Sequence, residues 1–320
     1  MKSKFLKVEN VHKLSPPGNI FMNKKYIHLN FGIILRDTPL RKRPTFKKNL
    51  SEEGFDLNCE TMCRTCEPVI ILDILPKNRF CFVKTRLSYG FVPASLLSII
   101  HKSYAFTYFT HNKMLYITGK FSVTLPSREK SVSFVPLSFG SKIPYVKKTN
   151  NIITVLLPKK QKSGGVIWQK AALEWTSGVS FSTLPLTPKN LIKLCKNMIG
   201  FPYDWGESFG GCDCSSLISS VLFLCGKYFP RNTREMFLLN GINVCKDTIL
   251  PVLSRCKKGD ILLCPGHVML YMGKIKGEFY ALHSFYAKKC VMVTSLSELS
   301  GNGVPLINLI KKIIPFDSLR

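Results

Sequence analysis

Acidic residues are scarce in this 320-residue chain: 19 Asp and Glu stand against 46 Lys and Arg, a formal charge of +27. Such a surface repels basic partners and is drawn to polyanions, among them nucleic acid, anionic lipid and anionic polymers. The basic residues are nevertheless dispersed. Arg41-Lys42-Arg43, Lys147-Lys148, Lys159-Lys160 and Lys311-Lys312 are too short for a nucleic-acid tail, and no nucleic-acid partner is expected. Long apolar runs are also missing. Val69 to Leu75, broken by Asp73, and Val221 to Cys225 are core-sized, well short of the ~18 residues of a membrane span, so no transmembrane segment is expected. Met1 to Leu14 alternates Lys with isolated apolar residues and carries no small-residue cleavage site. No secretory signal is read there, which points to the cytoplasm, with the cell envelope reachable by an unrecognised route. Charged residues at 20% and apolar residues at 45% exclude a disordered chain, a collagen and a coiled coil.

Cysteine, by contrast, is abundant, with 12 residues. The spacing is not that of a disulfide scaffold. Cys195, Cys225 and Cys264 sit inside apolar runs and read as small buried hydrophobes, and a reducing compartment is the simpler setting. Cys59, Cys63 and Cys66 have a spacing resembling the iron–sulfur motif of radical SAM enzymes, but Thr65 stands where an aromatic residue is usual, and no βα repeat follows. A zinc site there would need a fourth ligand such as Cys81. Loop thiols are the simpler reading, and no metal or cofactor is expected.

The chain divides by texture. Residues 1–29 form an irregular lead-in interrupted by Pro16-Pro17-Gly18. From 30 to 186 short apolar or alternating runs, such as Phe31–Leu35, Phe80–Val83, Met114–Ile117 and Ile152–Leu157, are separated by turn residues. This spacing predicts two small β-barrels, 30–102 and 103–186. Near 187 the pattern becomes helical. Thr187-Pro188 reads as an N-cap with proline at the first helical position, followed by Leu191, Leu194, Cys195 and Met198 at helical spacing, and Gly200 closes the helix. A second helix is predicted from Cys214 to about Gly226. Strands follow at Ile261–Cys264, His267–Met272 and Glu278–His283, so 187–320 reads as an α+β domain. That domain carries +8 and the part before it +19, which makes the N-terminal half the polyanion-facing one.

One thiol stands out. Cys214 opens the second helix, where free N–H groups and the positive dipole end favour a thiolate. A cysteine nucleophile needs a base, usually histidine, and the chain has only six. His267 and His283 fall on consecutive strands. A five-residue hairpin loop would place them on one face. A four-residue loop would place them on opposite faces, unless a bulge compensates.

At these residues the sequence resembles the NlpC/p60 family of cell-wall cysteine peptidases. Pro202-Tyr203-Asp204-Trp205-Gly206, Asp213-Cys214-Ser215-Ser216-Leu217 and Phe229-Pro230-Arg231-Asn232-Thr233 resemble its first block. Gly259-Asp260-Ile261-Leu262 with Gly266-His267-Val268 resembles the second, and Ala281-Leu282-His283-Ser284 the third. The resemblance implies a papain-like catalytic domain at 187–320. Gly90-Phe91-Val92-Pro93 and Leu40-Arg41 resemble the bacterial SH3-like barrels that precede it in multidomain members. It further implies a Cys214 thiolate nucleophile, His267 as ion-pair partner and acid, His283 orienting it, and Tyr203 with the Cys214 N–H at the oxyanion. The implied substrate is a peptidoglycan stem peptide or muropeptide cut between γ-linked D-glutamate and the diamino acid. Asp213 is then implied at the free amine of the N-terminal L-alanine, and Ser215 and Thr233 at the D-glutamate carboxylate, while Trp205 reads as packing. Glu207 and Ser216 replace glycines usual in the family, which bears on the pocket rim. Two other readings stay open: an amidase or acyltransferase using the same Cys-His-His site, and a non-enzymatic basic wall-binding protein.

Overall fold

A computed structural model describes residues 30–75, 77, 79–110 and 113–319. The lead-in assigned to 1–29 lies outside the described residues.

Residues 30–100 form one seven-stranded antiparallel sheet. Its order is Cys59–Cys63, Thr38–Arg41, Tyr89–Pro93, Phe80–Lys84, Pro68–Leu75, Asn30–Ile34 and Leu97–Ile100. Ile34, Leu40, Val69, Ile71, Val83, Val92 and Leu97 fill its core, the alternate-residue pattern expected when one sheet face is buried. A helix, Lys102–Thr110, follows; it has no amphipathic stripe to announce it. A second, five-stranded sheet follows, ordered Val166–Glu174, Ile152–Lys160, Lys142–Thr149, Met114–Ile117 and Val179–Ser180, with a two-stranded ribbon of Phe121–Val123 and Pro136–Ser138 beside it. Neither larger sheet closes on itself among the described strands, so the β-rich, SH3-like half is built from open sheets rather than closed barrels.

The α+β part begins at the helix Pro188–Asn197. Thr187 caps it, its hydroxyl accepting the Asn190 N–H at 3.2 Å, and Pro188 occupies the first turn. The helix Cys214–Leu224 follows. Behind both lies a six-stranded antiparallel sheet ordered Ile242–Asn243, Lys312–Ile314, Ile261–Cys264, His267–Ile275, Glu278–Phe285 and Cys290–Ser295. Both faces are buried. Leu191, Leu194, Leu217, Ile218 and Val221 of the helices pack on Leu263, Val268, Leu270 and Leu282. On the opposite face Leu262, Met269, Tyr271 and Ala281 meet Ile249, Leu253 and Leu306. Each fully buried leucine contributes about 2 kcal/mol of burial, so the helix carrying Cys214 is held by its whole length. The helix core is continuous with that of the second sheet through Leu115, Ile117, Ile143 and Val155.

The central hairpin has neither the four-residue nor the five-residue loop. A two-residue turn, Lys276-Gly277, joins Ile275 to Glu278, both turn residues having positive φ as a tight hairpin turn of this kind requires. Unbroken, that register would put His267 and His283 on opposite faces. A bulge between Tyr271 and Gly273 inserts Met272 as an extra residue and restores the shared face.

Candidate active site

Cys214 is the first residue of its helix, and Asp213 is the N-cap. Their geometry is a full capping box. Asp213 Oδ1 accepts the Ser216 N–H at 2.8 Å, and Ser216 Oγ accepts the Asp213 N–H at 3.0 Å. Serine in place of glycine at 216 therefore has a local role. The Cys214 sulfur receives backbone N–H groups from Ser215 and from Val268, the residue after His267. Burial pushes the thiol up to about 12, the Asp213 charge adds to this, and those N–H groups and Arg231 oppose it. Desolvation thus opposes the stabilisation a helix terminus offers a thiolate and favours the neutral thiol.

His267 Nε2 lies 2.7 Å from His283 Nδ1, and His283 Nε2 lies 2.9 Å from Thr294 Oγ1. His283 is fully buried and stacks on Phe285 with ring centroids 4.6 Å apart. A relay in which His267 Nε2 donates to His283 Nδ1 and His283 Nε2 donates to the Thr294 hydroxyl leaves His267 Nδ1 bare, the tautomer a general base requires; the opposite relay satisfies the same contacts. Burial lowers His267 to about 4, against the pull of Asp213. Burial also lowers His283 well below the usual histidine value, with the neighbouring imidazole adding to it. Burial thus favours the neutral thiol and the neutral imidazole over the thiolate–imidazolium pair that the resemblance implies. Thr294 has no signature in the sequence that would have singled it out.

Tyr203, Asp213, Ser215 and Thr233 line the same cleft as Cys214. Two of them are not free to serve as the resemblance implied. Asp213 is buried and accepts from Ser216 N, Ser215 Oγ and Arg231 Nη1 on one oxygen, and from Gly206 N and Arg231 Nη2 on the other. Five donors exhaust the lone pairs of a carboxylate, so none is left for a substrate amine. Ser215 spends its proton on Asp213 at 2.9 Å and accepts from Arg231 at 2.7 Å, so it cannot donate to a substrate carboxylate. Thr233 opens a short helix at the cleft and makes no such commitment. Tyr203 is packed edge-on against Phe55 and Tyr286, at 5.7 and 5.4 Å between ring centroids. Trp205 is 42% exposed at the rim rather than packed inside.

The N-terminal sheet completes this site. Buried Arg231 reaches from Asp213 to Thr61, its Nε donating at 2.8 Å. Arg64 pairs with Glu207 at 2.5 Å, and the Cys59 thiol donates to the Gly206 carbonyl at 3.2 Å. A Cβ at Gly206 would meet the Cys59 carbonyl at 2.8 Å, so only glycine fits there. Glu207 stands at φ +65°, a conformation that explains why glycine is usual at this position. Here the glutamate is held by Arg64 and Thr61 instead. The cysteines 59, 63 and 66 serve three different surroundings. Cys59 binds the Gly206 carbonyl, Cys63 fills the first core, and Cys66 donates to the Leu156 carbonyl at 3.7 Å. Cys212 is buried, and its carbonyl accepts the Ser284 hydroxyl at 2.6 Å.

Residues 200–299 match the NlpC/P60 family. Among curated proteins, dipeptidyl-peptidase 6 of Lysinibacillus sphaericus is 34% identical over 111 residues, 34% of this chain and 37% of that protein. The fold is shared with an NlpC/P60 endopeptidase from Photobacterium damselae subsp. piscicida (TM-score 0.70, 17% identity, 89% of this chain and 73% of that one). It is shared as well with an NlpC/P60 family protein from Bacillus cereus ATCC 10987 (TM-score 0.68, 18% identity, 91% and 100%). Among the described residues no helix is long and apolar enough to cross a membrane.

Proposed function

We propose that the chain is a cysteine endopeptidase that hydrolyses the γ-D-glutamyl–diamino acid bond of peptidoglycan stem peptides or free muropeptides. The observation that carries this reading is the pairing of His267 with His283 at 2.7 Å beside a cysteine in the first position of a helix, whose sulfur receives the Val268 N–H. The imidazole pair, His283 fully buried and His267 half-buried, supplies an oriented base, and the helix terminus supplies the nucleophile.

The chemistry follows from the protonation states. As the Cys214 sulfur attacks the γ-carbonyl, its proton passes to His267 Nδ1, and the imidazolium so formed is stabilised by His283 through Nε2. The carbonyl electrons move onto oxygen, where the Cys214 N–H and the Tyr203 hydroxyl are suited to receive them. Collapse expels the amine of the diamino acid, which takes the proton back from His267. Water, deprotonated by His267, then attacks the thioester, releasing the glutamyl carboxylate and restoring the thiol.

Mass spectrometry of muropeptides digested with the wild-type chain and with Cys214→Ala tests this. Release of a γ-D-glutamyl product by wild type alone is expected. Equal product from both, or none from either, would overturn the reading. Offering tripeptides against intact sacculi separates recycling from wall remodelling.

A further inference from the structure

The ribbon of Phe121–Val123 and Pro136–Ser138 lines no part of the Cys214 cleft, yet it holds apolar side chains in water. Its inner side joins the core through Val135 and Leu137. On the outer side Phe121 is 61% and Val123 38% exposed, two residues apart and so on one face. Exposed Pro136 lies directly opposite Val123 and extends that face. Phe134, in the turn before Pro136, is 65% exposed. Its backbone stands at φ +55°, a costly conformation for a residue with a Cβ. Thr124 holds the turn in place, its hydroxyl accepting the Val135 N–H at 2.8 Å and donating to the Val132 carbonyl at 2.7 Å. The fold thus keeps a large ring outside at a cost in backbone strain, and burial within the chain does not repay it.

The loop joining the two strands carries Arg128 and Lys130, both exposed. Among the described residues neither pairs with an acid. The carboxylates that reach the ribbon are engaged elsewhere. Glu129 accepts from Lys159 at 2.9 Å and from Ser131 Oγ at 2.6 Å. Asp37 accepts from Ser138 Oγ at 2.5 Å and from Thr65 N at 2.7 Å. The ribbon therefore combines an unpartnered apolar face with unpaired positive charge, on a chain of net charge +27.

We propose that this ribbon docks on a bilayer containing anionic lipid, with Phe121 and Phe134 entering the headgroup–acyl boundary and Arg128 and Lys130 meeting the headgroups. Apolar rings flanked by cations suit such an interface. A soluble polyanion would satisfy the cations but leave the rings wet. A twofold pairing of two copies would cover the rings but set like charges against each other. Each cation near an anionic surface strengthens partitioning about fivefold.

The test is co-sedimentation of the full-length chain with vesicles of phosphatidylcholine alone and of phosphatidylcholine and phosphatidylglycerol in equal parts. Binding is expected to favour the mixed vesicles about tenfold or more. Arg128→Gln/Lys130→Gln should erase that preference. Phe121→Ser/Phe134→Asn, in which asparagine tolerates the left-handed backbone, should weaken binding to the mixed vesicles about tenfold or more. A Phe134→Trp chain should emit at shorter wavelength on mixed vesicles, relative to the wild-type change. No binding to mixed vesicles, an unmoved emission, or binding that survives the phenylalanine substitutions undiminished overturns the assignment, the last by leaving only diffuse charge attraction. Vesicle-free sedimentation showing a dimer that these phenylalanine substitutions dissociate would give the face to a second copy and overturn it as well.

Discussion

The Arg64 guanidinium meets the Glu207 carboxylate at 2.5 Å, and both side chains are buried. Arg64 directly follows the strand Cys59–Cys63 of the N-terminal sheet, while Glu207 belongs to the loop that delivers the nucleophile. Glu207 adopts a left-handed backbone conformation, which costs about 1–2 kcal/mol for a residue with a Cβ. The adjacent Gly206 donates to Asp213, the cap of the nucleophile helix. The pair therefore couples the placement of Cys214 to a segment outside the catalytic domain. Removing one partner leaves an uncompensated buried charge, and Glu207→Gln or Arg64→Met is expected to lower stability by about 3–5 kcal/mol in urea denaturation. The double variant Arg64→Met/Glu207→Gly removes both charges and relieves the backbone, and it should recover most of that loss. A double variant as unstable as the sum of the singles would show that the two residues act independently.

Acid should destabilise the protein before its carboxylates titrate. His267 is lowered to about 4 and His283 also lies well below the 6.5 of an exposed histidine. Between about 6.5 and 4 the unfolded chain binds protons that the folded protein refuses, so stability falls as pH drops through this window. The slope is about 1.4 kcal/mol per pH unit for each such histidine. Asp213, held below the usual carboxylate range despite its burial by the Arg231 charge, adds a loss at still lower pH. Urea midpoints measured from pH 7 to 4 should show the slope, and His283→Asn should reduce it whatever its effect on stability at pH 7. An unchanged slope would mean that this imidazole takes up protons in the folded state as freely as in the unfolded one.

What the sequence revealed depended on how local the determining physics was. The helix starts at Thr187 and Asp213 follow from capping chemistry within four residues, and the strand Ile261–Cys264 follows from a short apolar run. The pairing of His267 with His283 was foreseeable only as a parity condition, because a single bulged residue decides it. The helix Lys102–Thr110 carries no amphipathic stripe, and the openness of the two sheets depends on edge contacts far apart in sequence. The roles implied for Asp213 and Ser215 failed for a related reason. Arg231 lies 18 residues from Asp213, and nothing local says that its guanidinium would consume the carboxylate. Thr61 and Arg64 are more distant still, in a segment whose charge had suggested only a general attraction for polyanions.

Met272 offers the most direct test of how the base was assembled. It is the unpaired residue between Tyr271 and Gly273, and because it bulges out of the ladder Tyr271 stays opposite Ala281 and His267 stays on the face of His283. Deleting it removes the bulge and leaves the register on both sides unchanged, with Gly273 opposite Tyr280 and Tyr271 opposite Ala281, so the two imidazoles keep their shared face. Muropeptide hydrolysis is expected to survive in this variant. Deleting Tyr271 together with Met272 instead shifts the first half of the strand by one residue and turns His267 away from His283. Hydrolysis is then expected to fall by about 10²-fold or more, as when an orienting partner is lost, with a lower urea midpoint. A single-deletion variant that folds but is inactive would show that the bulge itself, rather than the register it preserves, is what the site requires.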